Sequence, residues 1–442
     1  MENKTILSTL IACAGLSLPL ASYAGSFQIL EQSPAQLGKS FAGTASDVSD
    51  ATSVFFSPAG ITQLDAPSFS VGGNAIAAEA KFKDSGSNTK GITSATDETG
   101  YVPNLYLVTP ISEEIAFGLG VNAPFGLASR YDNAWMGRYL ATNSELEVVN
   151  LGAVLAVQIN RHWSLGMGVD YQRATVTLES QVDSTLGINP SPTTDSSAII
   201  TGEDSDVSAN VSFYFAPSES TSLGLVWRQG ASFDMRGAAR FSLNPMCSPG
   251  AGYPVGQGPA ITSGTLCAGS LAALAGDVEA KVQLPSIVTL SISQQLTQHW
   301  QIHGDIAWTE WSKIQTVNII NSNNQRSVNQ LQLHYDDSLR YSLGFSHSSN
   351  SPWIWRFGIG FDKAPQTAAE FTNPRIPDQD RIGLSAGFNY AFSTDVSMDV
   401  GYSYLKVDSI AIDNRDKVTG HHLRGTFAAN VHLLGVQANW KF

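Results

Sequence analysis

Long apolar runs are missing from most of this 442-residue sequence. After residue 24, no stretch approaches the roughly 18 consecutive apolar residues that a transmembrane helix needs. The rest of the chain therefore predicts no helical membrane span. Basic residues are also few, since 25 Lys and Arg stand against 38 Asp and Glu, for a formal net charge of −13. Nucleic-acid binding requires a basic face, so this charge argues against a nucleic-acid partner.

Cysteine is scarce as well, with three in the whole sequence. No Cys/His spacing predicts a zinc site, and no motif calls for a cofactor. Cys247 and Cys267 lie together in a Gly/Pro/Ser-rich stretch. In an exported chain such a pair predicts a disulfide, with two free thiols as the alternative.

The first residues predict export. Lys4 precedes a mostly apolar run, and Ser22-Tyr23-Ala24 supplies the small residues of a cleavage site. Residues 1–24 are therefore predicted to be a secretory signal peptide that is cut after Ala24. The segment ending at Cys13 loosely resembles a lipoprotein cleavage site, but the apolar run continues past it.

What the sequence has in abundance is period-two alternation. In the last segment one face is apolar and the other is mostly polar, with His432, Leu434, Val436, Ala438, Trp440 and Phe442 on the apolar face. Successive side chains of a strand point to opposite faces, so this is an amphipathic strand. The pattern recurs in residues 151–159, 163–171, 353–361 and 382–392. About fourteen such segments fill residues 66–442, an even number as in bacterial outer-membrane barrels.

The alternation alone does not decide between a soluble sandwich, with apolar faces inward, and a membrane barrel, with apolar faces toward lipid. Aromatic residues at strand ends, the signal peptide and the terminal Phe442 favour the barrel. The predicted fold is all-β: a transmembrane antiparallel β-barrel in the bacterial outer membrane. Short turns such as 160–161 and 392–394 should face the periplasm. The long stretches 127–144, 181–204, 242–276 and 363–380 should be extracellular.

Residues 25–65 differ from the barrel region, because they show little period-two order and many small residues. They could form a flexible periplasmic tail or a compact plug in the lumen. Their apolar content favours the plug.

Several motifs then carry a family resemblance. They include Leu37-Gly38-Lys39-Ser40-Phe41-Ala42-Gly43, Ser57-Pro58-Ala59-Gly60, Ala123-Pro124-Phe125-Gly126-Leu127 and Arg375-Ile376-Pro377-Asp378-Gln379-Asp380-Arg381. Each is weak alone, but the ordered set resembles the FadL family of outer-membrane long-chain fatty acid transporters over the whole mature chain. The resemblance implies a fourteen-stranded barrel with an N-terminal hatch. It also implies passive uptake of long-chain fatty acids or similar hydrophobic molecules.

In that family the substrate is captured by outer loops, moves to an inner pocket and leaves sideways at a kinked third strand. For capture, the resemblance points to Phe125, Leu127, Tyr131, Trp135, Met136 and Leu140. The alternative is that these residues only pack their loop. Phe27 is expected to enter the inner pocket as a removable plug.

The lateral opening is expected at Asn122, Pro124 and Gly126, because proline removes a ladder donor and glycine often marks a bulge. The alternative is that the strand simply ends at Pro124. For the gate, Ser57-Pro58-Ala59 should contact the inner wall, and Asp362 should meet the hatch there. Ser57 stands where the family carries Asn.

The basic residues that hold the carboxylate in relatives align with Leu178 and approximately Leu331, and neither can bind an anion. Inward-facing candidates for that role are Arg228, Arg340, Arg356 and Arg381. Each could instead pair with an acidic residue in the lumen. We call the two basic residues of the relatives the clamp. Because this chain lacks them, uncharged aromatic or aliphatic hydrocarbons are an alternative substrate.

Two rival functions remain. Gly383-Leu384-Ser385-Ala386-Gly387 fits a hydrolase pattern, but its Ser lies within a regular strand where that chemistry needs a strained turn. A lipid-hydrolysing enzyme is therefore disfavoured, and a plain structural barrel would not need a hatch. The expected partners are outer-membrane lipid and, through Phe442, the barrel-assembly machinery, and the protein is expected to be a monomer.

Overall fold

The structure is a computed structural model and describes residues 25–256, 261–416 and 419–442. The predicted signal peptide, residues 1–24, lies outside the described residues. Within the described part, no helix is long and apolar enough to cross a membrane.

Fourteen antiparallel strands form a closed barrel, as the alternation predicted. Five of them are interrupted once, which gives nineteen hydrogen-bonded segments. Each strand pairs with the next, and the last pairs with the first. The strands are β1 Ser68–Asp84, β2 Ala95–Pro110, β3 Ile115–Arg130, β4 Asn143–Asn160, β5 Trp163–Val182, β6 Ser196–Ser218, β7 Thr221–Arg228 with Ser232–Ser242, β8 Gly276–Gln283 with Ile287–Gln295, β9 Trp300–Thr309 with Thr316–Asn321, β10 Ser327–Gln332 with Ser338–Ser348, β11 Trp353–Asp362, β12 Arg381–Ala391, β13 Val396–Val407 with Ile410–Arg415, and β14 His422–Lys441.

Near the short turns, the apolar faces of these strands point outward. On β14, Leu434 and Val436 are 51% and 48% exposed, whereas Gln437 between the outward positions is 1% exposed. A soluble sandwich would show the opposite arrangement. The orientation is the one that a hydrocarbon environment requires, and closure of the sheet leaves no strand edge to satisfy.

Aromatic residues gather at the barrel end that carries the short turns. Phe69 packs on Trp440 at 5.6 Å, and Trp163 stacks on Phe215 at 4.1 Å between ring centroids. Trp353 and Tyr390 form a further pair at 4.6 Å. Aromatic girdles of this kind lie at the membrane–water interface.

The long connections all lie at the other end of the barrel, because every one of them joins an odd-numbered strand to the next strand. The predicted loop limits need correction. Residues 127–130 belong to β3 and residues 196–204 belong to β6, since both strands continue well beyond bilayer height. The connection between β7 and β8 contains a helix, Ser263–Leu274, and the Cys247–Cys267 disulfide predicted from the sequence.

Residues 25–64, here called the hatch, lie inside the barrel. They contain two single-turn helices, Pro34–Leu37 and Ser53–Phe56, and a 3-10 helix, Pro58–Gln63. A second 3-10 helix, Trp311–Lys313, interrupts β9. The hatch contacts inward-facing serines around the wall, including Ser40 with Ser385 at 2.7 Å and Ser46 with Ser293 at 2.8 Å.

Inward-facing glycines make room for the hatch. A Cβ atom on Gly224 would overlap the backbone of Ala45, and one on Gly358 would overlap the backbone of Lys39. This explains why the inner faces of the strands are rich in glycine.

Candidate functional site

The third strand parts from the second halfway along its length. β2 and β3 pair only from Leu105 with Val121 down to Pro110 with Ala116. Beyond Val121, β3 continues to Arg130 paired with β4 alone, and its register shifts between Asn122 and Phe125. The strand therefore does not end at Pro124. The predicted residues Asn122, Pro124 and Gly126 lie at a bulge beside a gap in the wall.

The start of the hatch closes this gap. The Ile29 N–H donates to the Pro124 carbonyl at 2.8 Å, and the Gly126 N–H donates to the Phe27 carbonyl at 2.9 Å. These bonds form an antiparallel bridge between Gln28 and Phe125. Residues 27–29 thus provide β3 with the backbone partners that β2 does not.

Gln32 completes the closure at the bulge. Its side-chain amide donates to the Ala123 carbonyl at 2.8 Å and accepts from the Ala123 N–H at 3.1 Å. Gln32 is fully buried. Because an unpaired buried backbone group is costly, this side chain stabilises an otherwise incomplete strand.

Phe27 fills an apolar pocket behind the gap, here called the inner pocket. Its ring lies 5.0 Å from Trp311 and 6.0 Å from Phe125. Several pocket residues come from the interruptions of neighbouring strands, where the backbone turns their side chains inward: Ala231, Leu284, Trp311, Ile314, Leu333 and Tyr335. Leu178 and Leu331, near which the family resemblance places the two basic residues that this chain lacks, belong to the same pocket.

The polarity of the inner wall changes along the strands. On β5 the inward residues Ser164 and Asp170 are polar near the short turns, whereas Ala174 and Leu178 are apolar near the outer end. The outward face changes in the opposite sense, from Met167 to Arg173. The outer half of the barrel is therefore built like a water-soluble protein, with an apolar interior. The alternation shows this signal, because the apolar residues move from odd to even positions after Tyr171.

The residues predicted for capture are divided by the structure. Phe125 and Leu127 lie on β3 rather than in the loop, and they line the inner pocket. Tyr131 and Trp135 are buried and stack at 4.3 Å, in a second apolar cluster with half-buried Met136 and Leu140. These four residues pack their loop against the barrel.

Exposed apolar side chains occur elsewhere on the outer surface, in two loops that were not singled out from the sequence. They are Leu186, Ile188, Leu243, Ile261 and Leu266, which are 39–51% exposed. The two loops are joined by a hydrogen bond from Asn189 to the Tyr253 hydroxyl at 2.9 Å. Short apolar stretches within loops have no periodicity, so these residues could not be identified from the pattern of the sequence.

All four candidate arginines form ion pairs in the lumen. Arg228 pairs with Asp170, and Arg340 pairs with Asp305 at 3.5 Å. The other two pairs are Arg356 with Asp399 and Arg381 with Asp362. A cavity of about 50 Å³ lies beside Pro124, with apolar walls and the side chains of Arg228 and Arg340.

The gate residues contact the wall as expected, but one partner differs. The Ala59 N–H donates to the Ser212 hydroxyl at 2.7 Å, and Pro58 packs over Gly166. The Ser57 hydroxyl donates to the Ala45 carbonyl within the hatch. Asp362 does meet the hatch, but at its first residue, because it accepts a hydrogen bond from the Gly25 N–H at 3.1 Å. The residues between Gly25 and Ser57 fold across the lumen, so the two ends of the hatch reach different strands.

Ser385, the centre of the hydrolase-like motif, lies within β12. It bonds to Ser40 and Ser403, at 2.7 and 2.8 Å. Neither partner is a base, so this motif carries no support for hydrolysis.

Comparison with known proteins gives matches over the whole barrel. A family model described as outer membrane protein transport protein (OMPP1/FadL/TodX) matches residues 16–442. The long-chain fatty acid transport protein of Escherichia coli (strain K12) is 28% identical over 440 residues, covering 93% of this chain and 95% of that protein. Outer membrane protein P1 of Haemophilus influenzae is 26% identical over 476 residues, covering 100% and 99% of the two chains.

Solved structures show the same fold. A Pseudomonas aeruginosa FadL homologue has a TM-score of 0.83 at 20% identity and covers 94% of this chain and 100% of that one. The Pseudomonas putida toluene transporter TodX has a TM-score of 0.70 at 15% identity and covers 94% and 99% of the two chains.

Proposed function

Because this chain belongs to the OMPP1/FadL/TodX family of outer membrane transport proteins, we propose that it is a passive channel for long-chain fatty acids or similar hydrophobic molecules. The substrate is captured at the outer surface, passes into the inner pocket and leaves sideways between β2 and β3. The name of the Escherichia coli relative, long-chain fatty acid transport protein, supports hydrophobic uptake.

The observation that carries this proposal is the gap in the wall. Residues 27–29 and Gln32 bond to β3 where β2 does not, so the closure depends on the hatch. When this segment withdraws, Phe27 leaves the inner pocket and the gap loses its cover. A molecule in the pocket can then enter the bilayer without crossing the polar lower half of the lumen.

The apolar lining supplies the driving force for entry. Burying one methylene contributes about 0.8 kcal/mol, so a long acyl chain gains well over 10 kcal/mol before ordering costs. No energy source is required at this membrane, because binding and release follow the concentration gradient.

Capture is assigned here to the exposed apolar side chains of the two outer loops, Leu186, Ile188, Leu243, Ile261 and Leu266. They lie on the outer surface, where a hydrophobic molecule arrives from water. Tyr131 and Trp135, which are buried, hold the adjacent loop in place.

The test is uptake of radiolabelled oleate by a strain that lacks its own long-chain fatty acid transporter. Expression of this chain should raise uptake well above the level of the empty vector. Toluene and dodecane are measured in parallel, because uncharged hydrocarbons are the alternative substrate and TodX is named a toluene transporter. No uptake of any of the three compounds, with the barrel folded in the outer membrane, would contradict a channel function.

A further inference from the structure

One buried cation of the described residues forms no ion pair. Within the described residues, six Lys and Arg residues are buried: Lys39, Arg138, Arg228, Arg356, Arg375 and Arg381. Five of them form an ion pair with an Asp side chain. Arg375 is 2% exposed and forms no ion pair in the described part of the chain.

The Arg375 guanidinium is held in place from one side. Nη1 donates to the Asn143 carbonyl at 2.9 Å and to the Ser144 hydroxyl at 2.8 Å. Nε and Nη2 have no acceptor among residues 25–256, 261–416 and 419–442. The group is therefore oriented by β4, and two of its three nitrogens remain available for a ligand.

The position of Arg375 coincides with that of the missing clamp. Ser144, which binds its guanidinium, pairs directly with Leu178 across the β4–β5 ladder. Leu178 is where the family resemblance places a basic residue, and it lines the inner pocket. Ile376, the next residue after Arg375, packs against the same pocket. The guanidinium of Arg375, from the loop between β11 and β12, therefore lies close to Leu178, where β5 carries no basic residue.

Its charge is retained at neutral pH. Burial lowers the pKa of Arg375 to about 10, while Glu179 and Tyr131 act in the opposite direction. Glu179 attracts the guanidinium without forming an ion pair with it, so an anion bound directly to Arg375 would stabilise the buried charge further. The other buried cations already have such a partner within the protein.

We propose that Arg375 binds the anionic head group of the substrate, with the acyl chain in the inner pocket. The inference rests on the proposed channel function and narrows its substrate to a long-chain carboxylate. A planar guanidinium can bind a carboxylate through two parallel hydrogen bonds. Nε and Nη2, which lie side by side on the group, are the pair that would donate them.

The test compares oleate with methyl oleate, which has the same chain and no charge. Binding is measured by calorimetry on the purified protein in lipid nanodiscs. Arg375→Met removes the charge and keeps an unbranched side chain. It should weaken oleate binding by about tenfold or more and leave methyl oleate binding unchanged, since hydrogen bonds to charged groups contribute at least that much. Arg375→Lys should retain much of the oleate affinity.

Arg161→Met is the matched control, because Arg161 is exposed in a short turn. It should bind both ligands like the unmodified protein. Unchanged oleate binding in Arg375→Met, or an equal loss for oleate and methyl oleate, would overturn the assignment.

The unmodified protein provides a second readout that does not depend on a variant folding. It should bind oleate about tenfold or more tightly than methyl oleate, for the same reason. Equal binding of the two would refute the role of Arg375 and leave the channel function standing. Binding of neither would instead count against the proposed function itself.

Discussion

At the scale of single residues, Gln32 supplies β3 with hydrogen bonds that a neighbouring strand would normally provide. Its amide bonds to both backbone groups of Ala123, and Gln32 is completely buried. Closure at the bulge therefore combines this side chain with the backbone hydrogen bonds of residues 27–29.

Gln32→Leu should loosen this closure. Leaving a buried backbone donor unpaired costs about 1–3 kcal/mol, which corresponds to roughly tenfold or more in local opening. Hydrogen exchange of the peptide that contains Ala123 should become faster by that factor. Gln36→Leu is the control, because Gln36 is also buried in the hatch but its side-chain oxygen has no hydrogen-bond partner. Equal exchange in the two variants would show that Gln32 does not hold the bulge.

The ion pairs between side chains in the lumen were the feature of the structure that was hardest to predict from the sequence. Strand parity placed Arg228, Arg356 and Arg381 in the lumen, and the structure agrees. It could not identify their partners, since Arg228 and Asp170 are 58 residues apart. Arg375 belonged to a recognised motif, but it lies in a loop, where parity says nothing about direction.

At the scale of elements, each long strand has a lipid-facing lower part and a water-facing upper part. Period-two alternation predicted the strands well because the membrane requires a continuous apolar outer face. The interruptions of β7 to β10 were not predicted. They lie where the apolar residues change faces, and the broken pattern resembles a loop.

This division predicts position-dependent effects of charge on one strand. Met167 and Thr177 both face outward on β5, but Met167 lies in the apolar lower part and Thr177 in the upper part. Met167→Arg should destabilise the folded barrel by about 2–4 kcal/mol, and Thr177→Arg by about 1 kcal/mol or less. Urea unfolding in lipid vesicles measures both. Equal destabilisation would mean that the bilayer boundary is placed wrongly.

The hatch is an element whose movement can be blocked. Ser40 and Ser385 have their hydroxyl oxygens 2.7 Å apart, so Ser40→Cys with Ser385→Cys should form a disulfide between hatch and wall. Oleate uptake should fall in the oxidised variant and recover with reductant. The pair Ser385→Cys with Ser403→Cys joins two wall strands, whose hydroxyls are 2.8 Å apart, and should leave uptake unchanged. Full uptake with the hatch bridged to the wall would contradict gating by movement of this part of the hatch.

At the scale of the whole molecule, the lumen of the barrel has two parts that differ in polarity. The lower lumen is polar and filled by the hatch, whose backbone is admitted by inward-facing glycines. The upper lumen is apolar, and the gap in its wall beside β3 is closed by residues 27–29 and Gln32. The fold class could be predicted from alternation and resemblance, whereas the lateral route stays a prediction that rests on the resemblance. The upper apolar interior could not, because the same alternation was interpreted as one uniform orientation.

Photolabelling with a diazirine analogue of oleate tests the route most directly. Cells expressing the protein are irradiated during uptake, and adducts are located by mass spectrometry. Adducts are predicted on Phe27, Ile29, Phe125 and Leu127, which line the pocket and the gap. Adducts confined to the polar cavity around Asp50, Arg356 and Asp399, below the hatch, would contradict lateral exit.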